Sequence, residues 1–339
     1  MTKAFDPNAA AASDGIFGLP YTAEESRVVL IPVPWEATVS YGAGTAQGPA
    51  AILAASRQVD LFDRETGRPY EAGIAMLPPS EMVREWNRIA REAALPLIEK
   101  GGSEGSPEDA ALVEAVEKAA QSMNGYVYAE AKRLLEEGKL VGVIGGDHAS
   151  PFGAIRAVLE KYPEAGVLHV DAHADLRDAY EGFTYSHASI FHNVVTKTPL
   201  RKLVQVAIRD LCDEEFKFVE ANAERIRVFY DPDIKAWLHE GTPWAALADQ
   251  IVAELPPEVY VSFDIDGLDP ALCPHTGTPV PGGLDFPQAT SLFKKVAASG
   301  RKIVGFDLCE TVPDPTGASE WDANVAARLL YKLIGFALK

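Results

Sequence analysis

The sequence predicts an α/β protein in which helices cover both faces of one central, mainly parallel β-sheet. From residue 140 to the C-terminus, short apolar runs alternate with helical stretches, as they do in parallel strands joined by helices. Neither an internal repeat nor a strong change of composition divides the chain, and its 339 residues are enough for one large core. We therefore expect an N-terminal arm over residues 1–25 and a single domain over residues 26–339.

The individual strands and helices are predicted from the length and the period of the apolar pattern. The first helix begins near Gly48-Pro49, because proline is tolerated in a first turn. A flexible break at 101–107 precedes a long acidic helix that ends before Gly138. The predicted strands are 27–33, 140–144, 166–170, 203–208, 226–230, 258–263 and 302–307. The first helix covers 46–56, and the other predicted helices are 80–100, 151–161, 213–222, 242–254, 287–299 and 319–337.

Composition and charge exclude several classes of protein. The formal net charge of −18 argues against a nucleic-acid partner, because phosphate binding requires clustered lysine and arginine. An acidic surface favours the approach of a small cation, although it is equally compatible with a role in solubility alone. Three cysteines without Cys-x-x-Cys spacing indicate neither a disulfide framework nor a structural zinc site. Without a signal-peptide pattern or a membrane-length apolar run, we expect a cytoplasmic protein with no membrane partner.

Three segments bring aspartate and histidine together at the ends of predicted strands. They are Gly145-Gly146-Asp147-His148, Asp171-Ala172-His173-Ala174-Asp175 and Asp264-Ile265-Asp266. Alternate residues of an extended segment point to the same side, so the second and third segments each gather their polar side chains on one side. Since the carboxyl ends of parallel strands lie at one edge of a sheet, where ligands bind, we expect the three segments to meet there.

These segments predict a centre for two divalent cations. So many carboxylates in one site would repel one another unless cations compensated them. A mixed shell of carboxylate and imidazole suits manganese, nickel, iron or zinc, and two such cations lower the pKa of a shared water towards about 7. Any single member could instead be a helix cap or a core residue, and Asp147 is expected to cap or to support the ligands. The six predicted ligands are His148, Asp171, His173, Asp175, Asp264 and Asp266.

Two further residues are candidates for chemistry. His187, in a loop after the second segment, is a candidate proton shuttle, although its spacing fits a surface histidine equally well. Glu310 follows the last apolar run and could pair with a planar cation, although spacing alone favours an ordinary loop carboxylate. His169 is expected to be packed inside its strand. The other histidines are expected at the surface or behind the ligands: His192, His239 and His275.

The motifs resemble those of the ureohydrolases, the family of arginase, agmatinase and formiminoglutamase. The matching segments are 145–148, 171–175, 262–270, 276–279 with Gly282-Gly283, and 305–310, and the 31–57 region is similar to the opening segment of the family. The resemblance implies a three-layer α/β/α sandwich with a binuclear centre of Mn²⁺, or of Ni²⁺ as the alternative. It also implies a homo-oligomer, trimer or hexamer, that hydrolyses a small cationic guanidino substrate to urea and an amine.

The same resemblance implies roles for individual residues. Glu310 matches the glutamate that holds the guanidinium group of the substrate. His187 matches the histidine that protonates the leaving amine, and Thr278 falls where the family has a threonine near the substrate. Together with Asp175 of the metal motif, His187 and Glu310 form the predicted catalytic group.

Departures from the arginase pattern indicate a substrate other than arginine. Arginases have an aspartate three residues after an arginine that resembles Arg209, and an asparagine two residues after the metal motif. Here these two positions are Cys212 and Arg177. An agmatinase-like enzyme is therefore the first hypothesis, and guanidinobutyrase, guanidinopropionase or arginase are later ones.

A guanidine hydrolase, releasing urea and ammonia, is the main alternative. The segments 34–42 and Ser186-His187-Ala188-Ser189 are similar to the branch that contains these enzymes, which resembles nickel enzymes. So small a substrate needs a plugged pocket, for which Trp35, Tyr41 or Phe183 are candidates. The alternative outside enzymes is a catalytically silent metal-binding assembly protein, which an intact His187 and Glu310 disfavour.

Overall fold

A computed structural model describes residues 5–11 and 13–339. Within these ranges eight strands form a single sheet in which every neighbouring pair is parallel. The strands are β1 Val28–Val33, β2 Ile74–Met76, β3 Leu140–Gly145, β4 Gly166–Val170, β5 Leu203–Ile208, β6 Ile226–Tyr230, β7 Glu258–Asp264 and β8 Lys302–Cys309. Their order across the sheet is β2-β1-β3-β8-β7-β4-β5-β6. The predicted parallel sheet is confirmed.

Every predicted helix is present, with ends that differ by a few residues, and two further helices occur among the described residues. They are α1 Gly48–Ser56, α2 Glu81–Ile98, α3 Pro107–Glu136, α4 Phe152–Lys161, α5 Ile190–Lys197, α6 Asp213–Ala221, α7 Asp231–His239, α8 Trp244–Ala253, α9 Phe286–Ala298 and α10 Trp321–Ala337. In the described part of the chain, no helix combines the length and the apolarity needed to cross a bilayer.

Three elements are missing from the sequence prediction: β2, α5 and α7. Strand β2 has only three residues, too few to show a period. Helix α5 has eight residues, barely two turns. Helix α7 begins at Asp231, directly after the last residue of β6, so no loop composition separates the two elements.

Alternate residues of β1 show how the sheet separates two hydrophobic layers. Val28 and Leu30 belong to a cluster with apolar residues of α1, α7, α8, α9 and α10. Val29 and Ile31 belong to a second cluster with residues of α2, α3, α4 and α5. Because helices cover both faces, the strands are continuous apolar runs rather than alternating ones. The architecture is the three-layer α/β/α sandwich that the resemblance implied.

Part of the predicted N-terminal arm packs against this domain. Ile16, Phe17 and Leu19 are buried, and the backbone N–H of Phe17 donates to Ser56 Oγ in α1 at 2.8 Å. The centroid of the Phe17 ring also lies 4.8 Å from the centroid of the Tyr331 ring in α10. A boundary at residue 25 stays a prediction, and residues 1–4 and 12 of the arm lie outside the described residues.

The four strands at the centre of the sheet bring the predicted motifs together. In the order β3, β8, β7 and β4, their carboxyl ends lead to His148, Glu310, Asp264 and Asp171 respectively. These residues are far apart in the chain but adjacent across the sheet. This edge of parallel strands is where ligands bind in such folds.

Candidate metal centre

A first group of predicted ligands surrounds the imidazole of His148. Its Nδ1 atom lies 3.0 Å from Asp171 Oδ2, 3.1 Å from Asp175 Oδ2 and 3.3 Å from Asp264 Oδ2. A ring nitrogen donates at most one hydrogen bond, so it cannot satisfy three carboxylate oxygens. All four side chains are buried, and a cation among these atoms would compensate the carboxylates.

A second group forms on the other oxygen of Asp171. His173 Nδ1 lies 3.4 Å from Asp171 Oδ1 and 3.1 Å from Asp266 Oδ2, and the three side chains could hold a metal ion together. The two oxygens of Asp171 thus face different groups. This geometry fits a carboxylate shared by two neighbouring cations, and the oxygen and imidazole donors suit divalent transition metals.

The electrostatics of the carboxylates also fit a cationic partner. Burial, followed by the charges of Asp266 and Asp171, raises the pKa of Asp264 well above its ordinary value. Burial and the charge of Asp171 raise the pKa of Asp175 to about 7. These carboxylates destabilise one another in the protein alone, and positive charge held between them removes that repulsion.

The segment 171–175 differs from the extended conformation that its alternating pattern predicted. Strand β4 ends at Val170, and Asp175 adopts a left-handed conformation with φ of 53°. The turn directs Asp175 to the group around His148, whereas His173 joins Asp266. Backbone N–H donation from Phe191 to the carbonyl of Asp175 at 2.9 Å holds this conformation, which costs about 1–3 kcal/mol in a non-glycine residue and is concentrated at functional sites.

Glu310 has the same unusual backbone, with φ of 62°, at the end of β8. Its side chain is buried, and its Oε1 accepts the backbone N–H of His148 at 2.8 Å. Burial and the charge of Asp147 raise the pKa of Glu310 well above its ordinary value. A Cβ added to Gly277 would lie 3.4 Å from Glu310 Oε2, so the second oxygen faces the loop that carries Thr278, whose side chain is half-buried.

His187 is half-buried and is held by Thr38 rather than lying free at the surface. Thr38 Oγ1 is 3.1 Å from His187 Nδ1 and accepts the backbone N–H of His187 at 3.3 Å. These two contacts with one hydroxyl fix the position of the ring. Burial and the neighbouring His173 lower the pKa of His187 to about 3, which favours a neutral ring.

Three polar residues behind the ligands were not predicted to contact them. His169 Nε2 lies 2.8 Å from Asp171 Oδ2. Ser262 Oγ lies 3.0 Å from His148 Nε2 and donates to Asp307 Oδ1 at 2.9 Å. The period of two could have found His169 and Ser262, because each precedes a predicted ligand by two residues. The signal for Asp307 is a carboxylate inside an otherwise apolar run.

We expect Ser262→Ala to weaken metal binding by about 10- to 100-fold, because hydrogen bonds behind a ligand fix the orientation of its ring. Competition with a chelating dye measures this affinity. Ser56→Ala is the matched control, because Ser56 is also fully buried and hydrogen-bonded but lies in α1. Equal metal affinities for the two variants would contradict a role of Ser262 in orienting His148.

The residues considered as pocket plugs have other positions. Trp35 and Phe183 are fully buried in the hydrophobic layer formed with α2, α3, α4 and α5. Tyr41 is exposed, with a relative accessible area of 84%. Core packing therefore accounts for the two buried rings, and Tyr41 does not close a pocket in this structure.

Comparisons with known proteins agree with the fold and with the geometry of the site. A profile of the Arginase family matches residues 26–335. The chain is 34% identical over 317 residues to the N(1)-aminopropylagmatine ureohydrolase of Thermus thermophilus, covering 92% of this chain and 90% of that protein. It is 29% identical over 314 residues to the agmatinase of Bacillus subtilis, covering 92% and 93%.

A solved structure supports the fold independently. The agmatine ureohydrolase of Thermoplasma volcanium superimposes with a TM-score of 0.73 at 23% sequence identity, covering 99% of this chain and 96% of that one. The family profile and the two sequence relatives define the class: the protein is a metal-dependent amidinohydrolase. The chain belongs to the arginase family, whose members act on small guanidino substrates.

Proposed function

We propose that this protein hydrolyses a C–N bond of an agmatine-like guanidino compound and releases urea and an amine. The observation that carries the proposal is the position of Asp171, which offers one oxygen to the group around His148 and the other to the group of His173 and Asp266. A shared carboxylate of this kind is suited to two cations, and the buried carboxylate of Glu310 lies at the same edge of the sheet.

The six side chains divide between two cation positions in this proposal. His148, Asp171, Asp175 and Asp264 would hold one cation, and Asp171, His173 and Asp266 would hold the other. Mn²⁺ is the proposed metal and Ni²⁺ is the alternative, because both accept carboxylate and imidazole ligands. When bound, such a pair supplies Lewis-acid activation of water, lowering its pKa towards about 7.

The remaining chemistry falls to three residues of the chain. Glu310 would orient the guanidinium group through charge-assisted hydrogen bonds, for which a carboxylate has the matching planar geometry. His187, whose Nδ1 contacts Thr38, would take up a proton from the attacking water and pass it to the leaving amine, which leaves the ring neutral again. Thr278 would contact the substrate from the loop next to Glu310.

Two observations support a substrate without the α-amino acid group of arginine. The guanidinium of Arg209 donates to backbone carbonyls, among them those of Ala207 at 3.0 Å and Asp266 at 2.7 Å, so it is committed to holding loops together. Cys212 stands before α6, and its N–H donates to Glu215 Oε2 at 2.8 Å. The names of the relatives, an aminopropylagmatine ureohydrolase and an agmatinase, point in the same direction.

Urea release from a panel of compounds tests the proposal. Chelator-treated protein, reloaded with Mn²⁺ or Ni²⁺, is assayed with agmatine, guanidine, guanidinobutyrate, guanidinopropionate and arginine. We expect kcat/KM for agmatine to exceed that for arginine by at least about 100-fold, because a site built for one polar end group rejects another by such factors. Urea release only from guanidine would instead favour the guanidine hydrolase. The absence of urea from every compound, despite bound metal, would contradict the enzyme function itself.

A further inference from the structure

The loop over residues 269–284, between β7 and α9, forms one wall beside Glu310. Thr276 Oγ1 donates to the backbone carbonyl of Glu310 at 2.9 Å, and the carbonyl of Gly277 accepts the N–H of Gly42 at 3.2 Å. Thr278 follows directly. These two hydrogen bonds connect the middle of the loop to the residue that follows β8 and to the segment after β1. A shift of residues 276–277 would therefore move Thr278 relative to Glu310.

His275, next to these contacts, is tied to the beginning of α10. Its backbone N–H donates to Asp322 Oδ1 at 2.9 Å, and its Nδ1 lies 2.8 Å from Asp322 Oδ2. Both oxygens of one carboxylate thus bind one residue of the loop. Asp322 is only 1% exposed and lies in the first turn of α10, where the helix dipole stabilises a negative charge.

A second contact joins the same two elements. Trp321 Nε1 donates to the carbonyl of Ala271 at 3.0 Å, so two successive residues of α10 hold the loop at two positions. The acidic groups that face the His275 ring are Asp322 and Asp314, whose Oδ1 lies 3.8 Å from Nε2. The hydrogen bond with Asp322 raises the pKa of His275, which favours the charged ring and a stronger, charge-assisted hydrogen bond.

We propose that the His275–Asp322 pair is a positioning device that holds the loop 269–284 against Glu310 and thereby shapes the guanidinium-binding end of the site. Neither member of the pair is a predicted metal ligand or a residue proposed to bind the guanidinium group. The sequence pattern gave His275 no partner, because Asp322 is 47 residues away. The inference rests on the proposed function, in which Glu310 and Thr278 bind the substrate.

Two variants of His275 separate positioning from general stability. His275→Ala removes the side-chain hydrogen bond, whereas His275→Asn keeps a donor close to the position of Nδ1. His239→Ala is the matched control, because His239 is an exposed histidine at the end of α7. Each variant, in the metal-loaded full chain, is measured by hydrogen–deuterium exchange of a 270–280 peptide and by kcat and KM for agmatine.

We expect His275→Ala to exchange faster in the 270–280 peptide and to raise KM about tenfold, the effect of a hydrogen bond worth about 1.4 kcal/mol. Its kcat and its metal content should stay near the wild-type values. His275→Asn should restore most of the exchange protection and of KM, and His239→Ala should change neither quantity.

Unchanged exchange in His275→Ala would overturn the positioning role, as would faster exchange with an unchanged KM. A failure of the proposed function has a different signature, namely a wild-type protein that binds metal but releases no urea from agmatine. In that case the exchange of the 270–280 peptide alone still shows whether His275 keeps the loop in position.

Discussion

Asp171→Asn is expected to abolish urea release, lowering kcat/KM by about 10³-fold or more. The variant removes the negative charge that faces both groups of ligands, while the amide keeps the size of the side chain. A bound metal contributes several kcal/mol of stabilisation to the charged transition state. Since each 1.36 kcal/mol changes a rate tenfold, the loss of this stabilisation corresponds to a factor of about 10³. Elemental analysis of the bound metal after dialysis, together with the urea assay, measures both consequences, and we expect less than two cations per chain.

Asp178→Asn is the control for this prediction. Asp178 lies a few residues further along the chain and is 90% exposed, with Oδ1 3.5 Å from His192 Nδ1, so the same chemical change there removes a largely solvated charge away from the six predicted ligands. Its metal content and kcat/KM should match those of the wild type. Full metal content and activity in Asp171→Asn would show that Asp171 is not shared between two cations.

Glu310→Gln is expected to keep its metal content and to bind the guanidinium group of the substrate more weakly. The amide oxygen still accepts the N–H of His148, so the local backbone keeps its hydrogen bond. The carboxylate charge is lost, however, and a hydrogen bond to a charged group contributes about 1.5–3 kcal/mol. We therefore expect kcat/KM for agmatine to fall by about 10²-fold, with a metal content near that of the wild type.

The comparison with Glu214→Gln completes this second experiment. Glu214 is exposed in the first turn of α6, and its substitution should leave kcat/KM unchanged. A Glu310→Gln variant that hydrolyses agmatine at the wild-type rate would contradict the guanidinium-holding role. A variant without metal would place Glu310 among the groups that hold the cations, and this result would also contradict the role proposed here.

The sheet and most helices could be predicted because their signals are local. Continuous apolar runs such as 140–144 and 166–170 have the length of strands buried on both faces, and the structure confirms them as β3 and β4. The missing elements are those without a local signal, such as the three residues of β2. The conformation of 171–175 was predicted incorrectly, because a period of two does not reveal the left-handed backbone of Asp175.

Part of the composition of the site could also be predicted from local sequence signals. Aspartate and histidine that follow apolar runs identify polar groups at strand ends, so all six predicted ligands could be named before the fold was known. The structure brings these six side chains together, and it adds His169, Ser262 and Asp307 behind them. The assignment of each ligand to one cation or both stays a proposal.

The sequence by itself determined the class of fold and the residue types available for chemistry, since strand length, helical period and the spacing of aspartate and histidine are properties of short segments. Only the tertiary structure decided which distant residues act together. Glu310 meets His148 because β8 lies beside β3, and His275 meets Asp322 because α10 begins beside the loop after β7. Such partnerships depend on the order of strands and on packing between elements, which no local pattern encodes.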